Sequence, residues 1–130
     1  MGLVSRVMFW RRRKPVVPVV RLTGVITQSN RLGQRGLSLE SVEPQLKKAF
    51  SIKRAKAVAL IINSPGGSPV QSHLIYSYIR QLAEKNKVKV IVFAEDVAAS
   101  GGYFIACAGD EIYANSSSII GSIGVISASF

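Results

Sequence analysis

The sequence has little of several residue types on which common protein activities depend. Its 130 residues include one cysteine, Cys107, and one histidine, His73. A single cysteine excludes an intrachain disulfide framework, so the redox character of the compartment stays open. We expect neither a bound metal nor a cofactor.

The sequence also lacks a long apolar run. No stretch reaches the roughly 18 consecutive apolar residues that a transmembrane helix requires. Arg6 precedes a short apolar patch and a basic cluster follows it, an order that does not fit a cleavable signal peptide. The sequence therefore leaves the localisation open between membrane-associated and cytoplasmic in a bacterium.

Acidic residues are the third shortage. Seven Asp and Glu stand against seventeen Lys and Arg, and thirteen of these cations lie in the first 60 positions. The densest basic cluster consists of Arg11, Arg12, Arg13 and Lys14. We interpret residues 1–14 as a flexible basic segment that is either solvated or in peripheral contact with an anionic membrane. The membrane contact is considered because residues 7–10, beside the cations, are apolar or aromatic. No base-reading or stacking motif accompanies the cluster, so we expect no nucleic-acid partner.

What remains is a globular composition, 48% hydrophobic and 18% charged, which suits one domain over residues 15–130. Apolar patterns predict strands at residues 16–26, 57–62, 88–93 and 111–114 and from residue 119 onward, and helices at residues 38–50, 69–85 and 100–108. Strands that alternate with helices at this spacing predict an α/β fold with right-handed crossovers and a mainly parallel sheet.

Two details of the predicted helices are open to test. Ser38 can cap the first helix, but Pro44 lies inside its pattern, so this helix either starts near Glu43 or is kinked. The apolar stripe that we predict for the second helix consists of Val70, Leu74, Tyr78 and Leu82.

Two glycine-bearing turns follow consecutive predicted strands, at residues 63–67 and 96–102. Binding sites of open α/β sheets form beyond the carboxyl ends of the strands, so the two turns are expected to face one cleft. Ser100, at a helix start, is a candidate nucleophile, and the N–H groups of Gly101 and of Gly66 or Gly67 can stabilise an oxyanion. The competing interpretations are that Ser100 only caps the helix and that residues 64–67 form an ordinary tight turn.

A nucleophilic serine needs a general base, and the sequence offers no obvious one. His73 lies within the second predicted helix, where we interpret it as a partly exposed surface residue. Lys85, Lys87 and Lys89 fall at the opposite end of a predicted strand from Ser100, where a solvated basic loop is the simpler interpretation.

Three segments together resemble one known family. INSPGGSPVQS at residues 62–72, EDVAASGGYFIACAGDEIYA at 95–114 and SSIIGSIGV at 117–125 are similar to the signal peptide peptidase A family, the S49 serine peptidases that include SohB-like proteins. The similarity runs from about residue 15 to residue 130. It implies a ClpP/crotonase-like fold of stacked ββα units, peptide-bond hydrolysis by a Ser/Lys dyad, and a homo-oligomer that acts on peptide substrates.

The resemblance also implies residue roles. Ser100 matches the nucleophile, Gly67 and Gly101 match the oxyanion-hole donors, and Ser122 matches the serine that orients the catalytic lysine. The expected substrate groove comprises Ser64, Pro65, Gly66 and Gly102. The lysine belongs to a later family motif, so we interpret residues 15–130 as an S49-type domain without its C-terminal end, in a piece of a longer enzyme.

Three functions are therefore considered. The first is a serine endopeptidase that cleaves signal-peptide remnants or other membrane-associated peptides. The second is an inactive truncated homologue that binds peptides or serves as a scaffold subunit. The third is a crotonase-like acyl-CoA enzyme, which the exposed serine between small residues disfavours.

Overall fold

The computed structural model describes residues 14–28 and 36–122. Two sets of predictions lie outside the described residues: the basic segment with Arg11, Arg12 and Arg13, and the end of the last strand. The predicted division of the chain at residues 14 and 15 stays a prediction for the same reason.

A five-stranded sheet organises the described residues. Its strands are β1 (Val19–Thr23), β2 (Ala57–Ser64), β3 (Lys89–Ala99), β4 (Glu111–Ala114) and β5 (Ile119–Gly121). The order is β1-β2-β3-β4, and β5 pairs with β3 beyond the end of β4. All of these pairings are parallel, which confirms the predicted α/β fold with a mainly parallel sheet.

Three helices connect the strands: α1 (Leu39–Phe50), α2 (Pro69–Asn86) and α3 (Gly101–Ala106). The predicted alternative start of α1 near Glu43 is wrong, because Ser38 and Ser41 form a reciprocal capping box and the helix begins at Leu39. The Leu39 N–H is held as well, because it donates to Gln71 Oε1 on α2 at 2.9 Å. Pro44 therefore lies inside α1, where it provides no N–H for the helix.

The core lies between one face of the sheet and the helices. Leu60 and Ile62 of β2 are fully buried, as is Leu46 of α1. The contact between α1 and α2 also half-buries Tyr78, whose pKa is raised by this burial and by the nearby Glu43 carboxylate.

In the parts of the chain that the structure describes, no helix is long and apolar enough to cross a membrane.

The predicted apolar stripe of α2 is wrong in its first half. Tyr78 and Leu82 are partly buried against the core, as predicted. Val70 is 66% exposed and Leu74 is 39% exposed. The buried residues of α2 are Gln71, Ser72, Ile75, Ile79 and Ala83. Two polar residues share this buried face because both are hydrogen-bonded: the Gln71 amide to α1, and the Ser72 hydroxyl to the Ser68 carbonyl at 2.7 Å.

Strand β3 is longer than the sequence predicts. The strand was expected to end at Phe93, with a turn from Asp96, but it continues to Ala99. Its last three residues pair with β5, at Val97–Ile119, Ala98–Ile120 and Ala99–Gly121. Polar residues interrupt the apolar pattern here, and the partner strand that satisfies the backbone of the extension comes 20 residues later. The sequence pattern therefore did not predict the extension.

Leu60 is expected to contribute strongly to the free energy of unfolding, because it is fully buried on the central strand β2. Leu60→Ala should lower the free energy of unfolding by about 2–5 kcal/mol, measured by denaturant titration of the purified protein. Val70→Ala is the control, because most of that side chain is exposed, and it should change stability by less than about 0.5 kcal/mol. Similar losses in the two variants would contradict this description of the core.

Candidate active site

Ser100 joins β3 to α3 in a strained backbone conformation. Its φ is 53° and its ψ is −121°. A non-glycine residue in this region costs on the order of 1–3 kcal/mol and persists only where the surroundings impose it. The Ser100 N–H donates to the Gly121 carbonyl at 2.7 Å, and its own carbonyl accepts from the Phe104 N–H at 3.0 Å. The turn is therefore fixed from both sides.

The Ser100 hydroxyl does not cap α3. The residue occupies the N-cap position, but its side chain makes no capping hydrogen bond. Among the described residues no partner for this hydroxyl is found, and the residue is only half-buried. The competing interpretation of Ser100 as a simple helix cap therefore fails. The strained turn presents a hydroxyl group that the fold itself does not use.

The turn after β2 is built around its own hydrogen bonds. The buried Ser64 Oγ accepts from the Gly66 N–H at 3.2 Å, and the Gly66 carbonyl accepts from the Ile26 N–H at 2.9 Å. The Ile26 carbonyl in turn accepts from the Ser68 N–H at 2.8 Å. These last two bonds flank Gly67 and leave its own N–H unused, and no partner for that N–H occurs in the described residues. Gly67 is exposed, so this donor is available to a ligand.

The two predicted turns touch each other. Gly66 has a φ of +106°, and a Cβ on it would lie 2.8 Å from Ser100 Cβ and 2.9 Å from the Gly101 nitrogen. A Cβ on Gly102 would lie 3.2 Å from Ser64 Cβ. Only glycines allow the backbones to approach this closely. The pairing of β2 with β3 therefore brings both turns to one place, as expected for neighbouring strands.

Gly101 lies against α2 and against the chain beyond β1. A Cβ on Gly101 would collide with Ser72 Oγ and would lie 3.1 Å from Ile26 Cδ1. At the first position of α3 its N–H has no acceptor within the helix. No other acceptor for it is found in the described residues. The backbone of Ile26 also packs on Gly67, so one buried residue borders both glycines.

The predicted groove residues differ in their exposure. Ser64, Gly66 and Gly102 are buried, while Pro65 is exposed. The three buried residues hold the turns together in the ways just described. Whether any of the four contacts a substrate stays a prediction.

Ser122 is the last described residue. It is exposed, has a φ of 56°, and follows Gly121, the residue whose carbonyl holds the Ser100 N–H. The chain therefore brings the two serines to the same end of the sheet. The orienting role of Ser122 stays a prediction.

None of the described residues first considered as bases is hydrogen-bonded to the Ser100 hydroxyl. His73 is exposed on α2, with its ring centroid 6.0 Å from that of Phe104. Lys89 begins β3, an 11-residue strand that separates it from Ser100 by roughly 30 Å. Lys85 and Lys87 precede Lys89 and are exposed at the same remote end. In the described ranges, no group of three His, Cys, Asp or Glu is arranged to hold a metal ion.

Asn63 is a positioning residue that the sequence analysis did not single out. Between Ile62–Ala94 and Ser64–Ala98 the register of β2 on β3 shifts, so that β3 contains two extra residues. Asn63 lies at this bulge, and its Oδ1 accepts from the Val97 N–H at 3.2 Å. An asparagine at the end of an otherwise apolar strand was the available signal. Its amide supports the part of β3 that leads to Ser100.

Comparison with known proteins points to a peptidase family. Residues 82–130 match the model of peptidase family S49. A putative signal peptide peptidase SppA of Enterococcus faecium is 35% identical over 115 residues, which covers 83% of this chain and 33% of that protein. The chloroplastic serine protease SPPA of Arabidopsis thaliana is 40% identical over 91 residues, 70% of this chain and 13% of that protein.

A protein of Brucella melitensis named Na(+)/H(+) antiporter NhaA is also similar. It is 57% identical over 131 residues, which covers 99% of this chain but 18% of that protein. The chain thus spans a third or less of each of these relatives. The antiporter name belongs to a protein of which this chain matches less than a fifth.

The family match and the named proteases show that the chain belongs to peptidase family S49, of which it carries part of the domain. The α/β architecture with its parallel sheet is accordingly the ClpP/crotonase-like fold.

The contact between Gly66 and Ser100 can be tested through stability. Gly66→Ala should destabilise the protein because the new methyl group meets the Ser100 turn at 2.8 Å in addition to straining a φ of +106°. Gly121→Ala is a matched control, because it strains a φ of +112° with nothing within 4 Å. We expect Gly66→Ala to lower the free energy of unfolding by about 1–3 kcal/mol more than the control. Equal losses would show that the two turns do not press on each other.

The Asn63 contact can be tested by hydrogen exchange. Asn63→Leu removes the acceptor of the Val97 N–H, which should cost about 1–3 kcal/mol and speed the exchange of that amide. Asn63→Asp keeps an acceptor oxygen at the same place and should preserve more of the protection. An unchanged Val97 exchange rate in Asn63→Leu would remove Asn63 from its positioning role.

Proposed function

We propose that the chain provides the nucleophile and the oxyanion-binding groups of a serine endopeptidase. The observation that carries the proposal is the strained Ser100 turn, whose hydroxyl is spared from capping α3 and lies beside two close-packed glycine segments. Strain of this kind concentrates at functional sites. Membership of family S49 supports the peptidase class independently of this geometry.

In the proposed reaction the Ser100 Oγ attacks the carbonyl carbon of a peptide bond. A general base accepts the hydroxyl proton as the C–O bond forms, and the carbonyl oxygen becomes an oxyanion. The N–H groups of Gly67 and Gly101 are the proposed donors to this oxyanion. Removal of one such donor commonly costs on the order of 10²–10³ in rate.

Collapse of the tetrahedral intermediate expels the amine of the cleaved bond, which takes its proton from the protonated base. Water, activated by the same base, then attacks the acyl carbon and releases the acid and the free Ser100 hydroxyl. The base in this scheme is the family's lysine, from the motif that follows Ser122 in family members, and Ser122 orients it. A lysine serves as a base when burial lowers the pKa of its ammonium group.

The substrates are proposed from the relatives. One relative carries the name putative signal peptide peptidase, which supports signal-peptide remnants or other membrane-associated peptides as substrates. Assembly into a homo-oligomer is proposed from the family resemblance. Because the chain spans a third or less of the relatives described above, both statements concern the whole protein of which such a domain forms part.

The central test is the reaction of Ser100 with a fluorophosphonate probe in the full-length protein. We expect covalent labelling that maps to Ser100, together with hydrolysis of an extended peptide, and we expect Ser100→Ala to abolish both. Ser117→Ala is the control, because Ser117 is an exposed serine in the turn before β5, and it should react like the parent protein.

Other outcomes would point to the competing functions. Tight peptide binding without turnover, in protein that is folded and contains the later family motif, would identify a peptide-binding homologue. Affinity for acyl-CoA without labelling of Ser100 would identify a crotonase-like enzyme. Labelling that survives Ser100→Ala would remove Ser100 from the role of nucleophile.

A further inference from the structure

The cations of the described residues are concentrated at one end of the molecule. Parallel strands all begin at the same edge of a sheet, and the helices that connect them end at that edge. The exposed cations of this edge are Lys14, Lys47, Lys48, Lys53, Arg54, Lys56, Lys85, Lys87 and Lys89. We call this set the basic pole. It contains all described Lys and Arg except Arg21 and Arg80.

Backbone contacts show that the members of the basic pole are neighbours. The Val16 N–H donates to the Arg54 carbonyl at 3.4 Å, and the Lys56 N–H donates to the Val16 carbonyl at 3.2 Å. One residue further along, Ala57 is opposite Lys89 in the pairing of β2 with β3. The segments that carry Lys14, Arg54, Lys56 and Lys89 therefore lie side by side.

Acidic residues do not balance this charge. Of the carboxylates near the pole, Glu111 pairs with Lys89 at 3.5 Å and Asp110 is engaged by Arg80 and by the Val90 N–H. Glu84 is the remaining one in the described part of the chain. The other acids, Glu40, Glu43, Glu95 and Asp96, lie at the start of α1 and toward the end of β3. The described residues thus have a positive end and an acidic end.

Helix stabilisation accounts for only part of the pole. Cations in the last turn of a helix interact favourably with its dipole, which explains Lys47, Lys48 and Lys85. Lys53, Arg54 and Lys56 lie in the loop between α1 and β2, where no helix end requires them. A surface that keeps these charges together against their mutual repulsion is suited to an anionic partner.

We propose that the basic pole binds the surface of an anionic phospholipid bilayer. Two exposed valines, Val17 and Val19, lie among the cations at the start of β1, with 50% and 57% exposure. Apolar side chains beside cations favour the interfacial region of a bilayer. In addition, the sequence that enters the pole at Lys14 carries three arginines after the apolar residues 7–10. Among the described residues of the pole no exposed aromatic ring is available to stack on a nucleic-acid base, which disfavours that partner.

This surface has a direct consequence for the orientation of the protein. Ser100 follows the carboxyl end of β3, whereas the pole surrounds its amino end. A domain that binds a bilayer through the pole therefore directs Ser100 away from the lipid. The proposal does not rest on the peptidase activity, because it concerns only charge and exposure.

The test is co-sedimentation of the full-length protein with vesicles. Vesicles of phosphatidylcholine alone are compared with vesicles that contain phosphatidylglycerol, at low and high salt. We expect binding only to the anionic vesicles, and a loss of binding at high salt. A triple variant with Lys53→Glu, Arg54→Glu and Lys56→Glu should bind on the order of a hundredfold more weakly, since each cation near an anionic surface contributes a factor of several.

Two control variants make the result specific. The charge-conserving triple variant Lys53→Arg, Arg54→Lys and Lys56→Arg should bind like the parent protein. A variant with Arg11→Gln, Arg12→Gln and Arg13→Gln measures the separate contribution of the N-terminal cluster. All three are compared by circular dichroism to confirm that they fold.

Several results would overturn the proposal. Undiminished vesicle binding by the charge-reversed triple variant would do so, whether or not the N-terminal variant loses binding. Equal binding to neutral vesicles would exclude an electrostatic surface. Charge-dependent binding to a duplex DNA oligonucleotide, with no binding to anionic vesicles, would assign the pole to nucleic acid instead.

Discussion

The position of Ser100 depends on the pairing of β3 with two different neighbours along one edge. Residues 91–94 of β3 pair with β4 and its last three residues pair with β5, while β2 pairs with the other edge on both sides of a register shift. The register shift that Asn63 supports lies between these two parts of β3. Because β3 is hydrogen-bonded beyond the bulge, it can deliver a serine into a backbone conformation that a free turn would not hold.

Much of this architecture follows from residue patterns. Alternating apolar runs and helical segments predict the parallel sheet, and the motifs around Ser100 and Gly67 predict the two turns that meet. The errors have physical causes. The first half of the α2 stripe was wrong because the hydrogen-bonded Gln71 and Ser72 are buried in place of Val70 and Leu74. The end of β3 was wrong because its partner is distant in sequence. The general base could not be assigned from the described residues, since Lys85, Lys87 and Lys89 occupy the remote end of β3.

The two ends of the sheet have different tasks in this view. Close-packed glycines, a strained serine and acidic side chains lie at the carboxyl ends of the strands. The amino ends gather lysines, arginines and exposed valines. A parallel sheet permits this separation because every strand points the same way, so a chemical character placed before or after several strands accumulates at one edge. Substitutions can then change the charge at the amino ends of the strands without altering the candidate active site at the carboxyl ends.

The hydrogen bond from the Ser100 N–H to the Gly121 carbonyl also sets an order of events during biosynthesis. The ribosome completes Ser100 and its glycines before it makes the residues that hold the turn in place. A nascent chain that ends before β5 therefore has the serine but lacks the bond to Gly121 and the pairing of Val97 to Ala99. The strained turn has no reason to form until this strand arrives. The turn that presents the Ser100 hydroxyl is therefore completed only after β5 has been made.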